Sequence, residues 1–294
     1  MTELTQVHHG ADLAAEVWRA RTSDGRQFAV KWSGAGTDAG HRAAAFLSAS
    51  GIPGIPSPAR TASGDLFRYY EGKRLTVTQW IDGSRAADSG LTLDQWTEYG
   101  ALLARVHAAE PPAVLRDGLP RHSPVDARIP ALVEELQQRL ATQPPADDIE
   151  AELAAVWSEY RPKLITLAMT RPAEPTGPKV ICHADPHLGN VLVGDSVQLI
   201  DWDDVVLAPR EQDLMFMLGG MGDLGPTTSA QLTAFLTGYG DIAIDESAVR
   251  YYRHVRALED VALWSQQALT GPDRRYALSV AQGILSHGLA ALLS

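Results

Sequence analysis

Short runs in which apolar and polar residues alternate fill the chain up to about residue 81. "EVWRART" and "QFAVKW" read as two strands joined at an Asp24-Gly25 hairpin turn, and "DLFRYYEG" and "RLTVTQWI" add two more. Between these pairs, "DAGHRAAAFLSASGIPGIPSP" reads as one short helix stopped by Gly51 and Pro53. The expectation is a small, mostly antiparallel sheet carrying one helix.

After "DGS" at 82–84 the period becomes helical. Thr92 with Gln95 makes a capping box, and Trp96, Tyr99, Leu102, Leu103 and Val106 share one face until Pro111 and Pro112 end the helix. Further helical patterns at about 128–142 and 148–169 are separated and ended by proline-containing stretches. "KVICHA" and "VQLIDW" then read as two strands bracketing "ICHADPHLGN". Beyond residue 210 the chain is helical again, with a capping box at Thr228 and Gln231 and an amphipathic run from about 247 to 269. The pattern predicts a sheet-rich N-lobe, a hinge near 79–84 and a helical C-lobe with one small β insert.

Composition adds limits rather than detail. With 294 residues, 45% hydrophobic and 21% charged, the chain has the make-up of a globular protein with a core of normal size. No stretch approaches the roughly 20 apolar residues of a spanning helix, and none near the start resembles a signal peptide, so a cytoplasmic protein without a membrane partner is expected. The single cysteine, Cys182, excludes an internal disulfide and reads as buried in an apolar run. A net charge of −11 without a dense lysine or arginine cluster argues against nucleic acid and favours small cationic ligands.

Candidate chemistry concentrates in residues 181–190 and just after them. His183-x-Asp185 is followed by Asn190 and then by Asp201 in "LIDWDD". Two strands bracketing the loop would bring the carboxylate, the amide and the second carboxylate to one edge of a hairpin. Phosphoryl transfer uses such a set: one carboxylate for the attacking hydroxyl, and an amide oxygen with another carboxylate for Mg²⁺ on the nucleotide phosphates. A second chemistry fits the same residues. His183, Asp185 and His187, completed by Asp201 and Asp203, offer nitrogen and oxygen ligands for a zinc or iron hydrolase.

The H-x-D-x-x-x-x-N run at 183–190 and the I-D-W-D segment at 200–203 resemble the aminoglycoside phosphotransferases, small-molecule kinases with a protein-kinase-like fold. The order of elements is similar across nearly the whole chain. Weaker similarity in "YYRHVRALEDVALWSQQAL" and "APREQDLMFMLGG" makes the chain look most like the spectinomycin phosphotransferase branch. The resemblance implies an α+β, bilobal fold, with a nucleotide-binding N-lobe at 1–81 and a helical C-lobe at 82–294 carrying the catalytic loop and the acceptor site. It implies ATP or GTP and Mg²⁺ as cofactors, a small cationic hydroxylated substrate such as an aminoglycoside or aminocyclitol, and a monomer or homodimer. A kinase of a sugar, homoserine, choline or another hydroxylated metabolite is the nearest alternative.

Carried over by residue, Asp185 becomes the catalytic base or hydroxyl-orienting group, and Asn190 and Asp201 the magnesium ligands. Lys31, ending the apolar strand "FAVKW", takes the nucleotide's α- and β-phosphates. Gly10, Ala11 and Asp12 fall in the turn covering the phosphates. Gln79, Trp80 and Ile81 form the connector whose main chain meets the adenine. Asp213 buttresses the catalytic loop, His183 braces it, and His187, Asp203, Glu259 and Asp260 are candidate substrate contacts. One departure stands out: "DAGHRAAAFL" lacks the helix glutamate that the family pairs with the strand lysine. Asp38, His41 and Glu16 are the candidate replacements, and a catalytically weak or non-catalytic nucleotide-binding protein is the alternative if none serves.

Overall fold

The alternating runs of the N-terminal stretch close into one antiparallel sheet in the computed structural model, which describes residues 2–7, 15–34, 36–121, 128–170, 172–219 and 224–288. Its strands are β1 (Glu3–Val7), β2 (Ala15–Arg21), β3 (Gln27–Ser33), β4 (Phe67–Tyr70) and β5 (Lys73–Gln79), laid side by side as β1-β2-β3-β5-β4. β2 turns into β3 as expected: Gly25 takes a φ of 85°, and the Asp24 carboxylate accepts hydrogen bonds from Thr22 Oγ1 and Arg26 Nε. The resulting register sets Lys31 on β3 opposite Val17 and Thr76, in the middle of the sheet.

The helix α1 (Asp38–Ala49) starts after an extended Thr37 and stops at Gly51, whose φ of 76° ends the helical path. Its small residues Ala39, Ala43 and Ala44, with Leu47, are buried in a core that also takes in Trp96, Leu103 and Trp202. α1 therefore packs onto the rest of the molecule, and meets its own sheet where the His41 ring lies 6.1 Å from that of Phe67.

The remainder is mainly helical. β6 (Ser84–Arg85) and α2 (Ala86–Ser89) lead into α3 (Leu93–Ala108), whose capping box is formed: Gln95 N donates to Thr92 Oγ1 at 3.3 Å and Thr92 N to Gln95 Oε1 at 2.9 Å. Then come α4 (Ala113–Gly118), α5 (Arg128–Thr142) and α6 (Asp148–Met169). Four three-residue strands follow, β7 (Val180–Cys182), β8 (Val191–Val193), β9 (Val197–Leu199) and β10 (Val206–Ala208). The chain closes with α7 (Glu211–Leu214), α8 (Ser229–Tyr239) behind its Thr228–Gln231 capping box, α9 (Glu246–Thr270) and α10 (Arg274–Gly283). A second core forms where α5, α6, α9 and α10 meet, around Val133, Leu153, Trp157, Leu258 and Leu278. Among the described residues no helix is long and apolar enough to cross a membrane.

The strand pairing around residues 181–190 differs from the expected hairpin. β7 pairs with β10, while β9 pairs with β8, which also holds β6. Valine-rich "VLV" and "VQL", turned by Gly194-Asp195-Ser196, make the local hairpin, so β7 is left to find its partner further along the chain. The loop 183–190 thus spans two small sheets rather than tipping one.

Candidate active site

Backbone donors at the end of β7 fix the loop before any of its side chains act. Asp213, fully buried, accepts from His183 N at 2.8 Å and Ala184 N at 2.7 Å, and its Oδ2 lies 3.0 Å from His107 Nε2. This is the buttress expected of Asp213. It holds Ala184 at a φ of 70°, a left-handed conformation that a non-glycine residue keeps only when its surroundings impose it. Tyr99 adds a hydrogen bond from its hydroxyl to the Pro186 carbonyl. His183 Nδ1 accepts from Asp185 N, so its Nε2 carries the proton and donates to Ile200 O at 2.8 Å.

Asp185 is the convergence point. Asn190 Nδ2 donates to its carbonyl at 2.9 Å and to its Oδ2 at 3.1 Å. His187 Nδ1 accepts from Gly189 N, which leaves Nε2 as the donor facing Asp185 Oδ2 at 3.3 Å. Arg256, from α9, places Nη1 3.0 Å from Asp185 Oδ1, sends Nε to Asp260 Oδ2 at 2.8 Å and lies over the Phe216 ring. Burial alone would push the Asp185 carboxyl up. The Arg256 guanidinium and His187 outweigh it and hold the group well below the usual carboxylate range. Burial raises the Asp260 carboxyl, and Arg256 offsets only part of that.

These positions settle two expectations about side chains. His183 and His187 each commit both ring nitrogens to hydrogen bonds within or beside the loop, so H-x-D-x-H does not converge on a metal. The one convergent set of histidine, cysteine and carboxylate ligands among the described residues is His107, Cys182 and Asp213, buried behind the loop, where His107 bonds Asp213 and the Cys182 thiol donates to Ala208 O and Pro209 O. Asp260, expected as a substrate contact, is instead 8% exposed and paired with Arg256, because α9 buries one stripe in the second core and turns another towards the loop. Glu259, partly buried beside it, adds negative charge near Arg256.

Asp201 arrives from the other sheet. Ile200 N donates to Asn190 O at 2.9 Å, which sets the residue after it beside the asparagine. Asp201 sits at φ 63° and ψ 67° and opens a single 3-10 turn, Trp202–Asp204. Lys31 Nζ reaches across from β3 to Asp201 Oδ1 and Asp203 Oδ2, each at 2.9 Å. Burial would lower the lysine; the two carboxylates outweigh it and hold its ammonium well above the ordinary lysine value. Asp38 faces Arg74 and Tyr69, Glu16 lies 3.9 Å from Lys73, and His41 accepts from Arg74. The partner of Lys31 is therefore none of the three proposed from sequence.

Asp203 lies in this cluster rather than open to a substrate, its Oδ1 being 3.3 Å from Arg74 Nη2 and 3.5 Å from His41 Nε2. At the connector, Gln79 N donates to Ser57 O and Trp80 N to Gln27 O, so a main-chain hydrogen bond from these two to an adenine must use their carbonyls. Gly10, Ala11 and Asp12 lie outside the described residues. Sequence reasoning missed Arg256, Arg74 and Tyr99. Only Arg256 left a trace, its i,i+4 spacing to Asp260 on a helix.

The chain matches the family model described as the phosphotransferase enzyme family over residues 3–256. No curated protein sequence matches it. Among solved structures, it resembles the spectinomycin phosphotransferase APH(9)-Ia in complex with ADP and spectinomycin, at a TM-score of 0.85 and 24% identity over 98% of this chain and 92% of that one. It also resembles an aminoglycoside phosphotransferase from Alicyclobacillus acidocaldarius, at a TM-score of 0.58 and 20% identity, covering 99% of this chain and 92% of that one. A macrolide 2'-phosphotransferase from Brachybacterium faecium stands at 0.52 and 18%, covering 96% and 91%. At these identities the likeness is one of fold.

Proposed function

The chain belongs to the phosphotransferase enzyme family, and we propose that within it the protein is a small-molecule kinase passing the γ-phosphate of ATP or GTP to a hydroxyl of an aminoglycoside or aminocyclitol. The observation that carries this reading is the linked set of Asp185, Asn190, Asp201 and Lys31, brought together from the loop between two small sheets and from the N-terminal sheet. In this reading residues 1–81 form the nucleotide lobe and 82–294 the acceptor lobe.

Asp185 receives the acceptor hydroxyl and orients its oxygen for in-line attack. Because Arg256 keeps the carboxylate a weak base, orientation outweighs proton removal: the hydroxyl proton passes to Asp185 only late, as the new phosphorus–oxygen bond forms and the bond to the departing nucleoside diphosphate breaks. Lys31 exchanges its contact with Asp201 for the nucleotide phosphates, while Asp203 keeps hold of it. The donor set beside Asp185 suits magnesium: Asn190 turns its Nδ2 to Asp185 and so keeps its amide oxygen for an ion, and Asp201 adds a carboxylate. When bound with the nucleotide, that ion neutralises charge on the transferring phosphoryl group.

Glu259, partly buried on α9 near the loop, and the net charge of −11 favour a cationic acceptor. A neighbour of this fold bound to ADP and spectinomycin supports the aminocyclitol class. The test is ATP- and GTP-dependent phosphate transfer by the purified protein to spectinomycin, several aminoglycosides, neutral sugars, homoserine and choline. Turnover of an aminocyclitol or aminoglycoside is expected. Turnover confined to the other acceptors would move the reading to a metabolite kinase, and none with any acceptor would remove it.

A further inference from the structure

We propose that Asp203 is the carboxylate that positions Lys31, delivered from the catalytic-loop side of the molecule in place of a glutamate on α1, with Arg74 fixing it from the sheet. The proposal rests on the reading of Lys31 as the cation for the nucleotide phosphates.

Three observations carry it. Asp203 is 8% exposed and its two oxygens divide their work: Oδ2 faces Lys31 at 2.9 Å, and Oδ1 faces Arg74 at 3.3 Å. A carboxylate this buried is tolerable because cations meet both oxygens. Arg74 is itself held in place. It is 5% exposed, donates from Nε to His41 Nε2 at 3.0 Å, and reaches Gly36 O and Asp38 with Nη1. Burial pushes the His41 ring below the ordinary histidine value, which suits its role as the neutral acceptor behind Arg74.

The backbone around Asp203 is built to admit this arrangement. Thr37 N, just before α1, donates to the Asp203 carbonyl at 3.1 Å. A Cβ on Gly36, where φ is +72°, would stand 2.5 Å from Asp203 Cβ, and one on Gly40 would stand 2.0 Å from Trp202 O. Two glycines thus let the start of α1 lie directly on the Trp202–Asp204 turn. Asp201 opens that same turn, so one short segment offers a carboxylate to the ion site and another to the lysine. The lysine is then oriented by contact between the sheet and the catalytic-loop side, not by the pose of α1 alone. Asp203 acts through Lys31, which makes it a positioning residue.

A double-mutant cycle with Lys31→Met and Asp203→Asn tests this, measuring kcat, KM for ATP and melting temperature with the best acceptor. Lys31→Met should lose about 10²-fold or more in kcat/KM for ATP, and Asp203→Asn about 10- to 100-fold. The Asp203→Asn loss should vanish in the Lys31→Met background, while its effect on melting temperature persists there. Equal fold-losses from Asp203→Asn in both backgrounds, or near-wild-type turnover of the single variant, would overturn the proposal. Unchanged turnover of Lys31→Met would instead overturn the reading of Lys31 and take this proposal with it, so the two failures are distinguishable. Should Asp203→Asn not fold, Arg74→Met leaves the carboxylate in place but unbraced. Its rise in KM for ATP, about 10-fold, should likewise disappear without Lys31. Persistence of that rise would count against the proposal.

Discussion

Replacing Gly40 by alanine sets helix propensity against a backbone contact, and the structure says which wins. Gly40 lies in the first turn of α1, where alanine should gain about 1 kcal/mol over glycine. The new methyl would meet Trp202 O at 2.0 Å and Trp202 C at 2.8 Å, where ordinary contact begins at 3.4 Å. Both partners are backbone, and the turn they belong to is pinned by Trp202 Nε1 to Leu199 O at 3.1 Å, so the helix must lift instead. Overpacking of this kind costs about 1–3 kcal/mol, and opening the Thr37–Asp203 hydrogen bond about 1 more. The net is a loss of about 1–3 kcal/mol, which for a chain of this size lowers the melting temperature by roughly 2–4 °C per kcal/mol. Differential scanning fluorimetry, with Gly283→Ala as the control, measures it: Gly283 ends α10, and its added methyl meets nothing within 4 Å. KM for ATP should rise with Gly40→Ala and not with the control. A Gly40→Ala protein as stable as wild type would refute the close contact between α1 and the turn.

Asp213→Asn puts a donor where two backbone N–H groups need acceptors, at 2.8 and 2.7 Å. It should cost about 1–3 kcal/mol in thermal unfolding and lower kcat more than it raises KM for ATP, since it releases the loop and not the nucleotide site. Arg256→Met leaves the carboxylates of Asp185 and Asp260 without their shared cation and should cost about 3–5 kcal/mol. Removing one anion as well, in Arg256→Met/Asp260→Leu, should restore part of the melting temperature; no recovery would argue against the shared-cation reading.

Local signals in the sequence were translated faithfully. Both capping boxes are formed, and the helical patterns at 128–142, 148–169 and 247–269 lie within a residue of α5, α6 and α9. The H-x-D-x-x-x-x-N spacing places Asn190 on Asp185 because a short 3-10 turn at Leu188–Asn190 folds the loop back on itself. Contacts between distant segments were not legible. Lys31 finds Asp203 only because α1 lies on the Trp202–Asp204 turn, and nothing in "DAGHRAAAFL" encodes that except its small residues. Arg256 reads as a helix surface ion pair until the fold brings α9 to the loop. The β7–β10 pairing was missed for the same reason: period marks a strand but not its partner.

Kinetics of Asp185→Ala, with nucleotide affinity measured by calorimetry on the same sample, bear most directly on the kinase reading. The Asp185 carboxylate meets Asn190, His187 and Arg256 at 3.0–3.3 Å, and in the alanine variant Asn190 keeps its bond to the residue-185 carbonyl, so loss of the carboxylate should spare the nucleotide site. The expected result is a fall of about 10²–10⁴-fold in phosphate transfer to the acceptor, with ATP affinity changed by less than about 3-fold. Transfer that continues at most of the wild-type rate would contradict the assignment of Asp185, and with it the account of how this loop works.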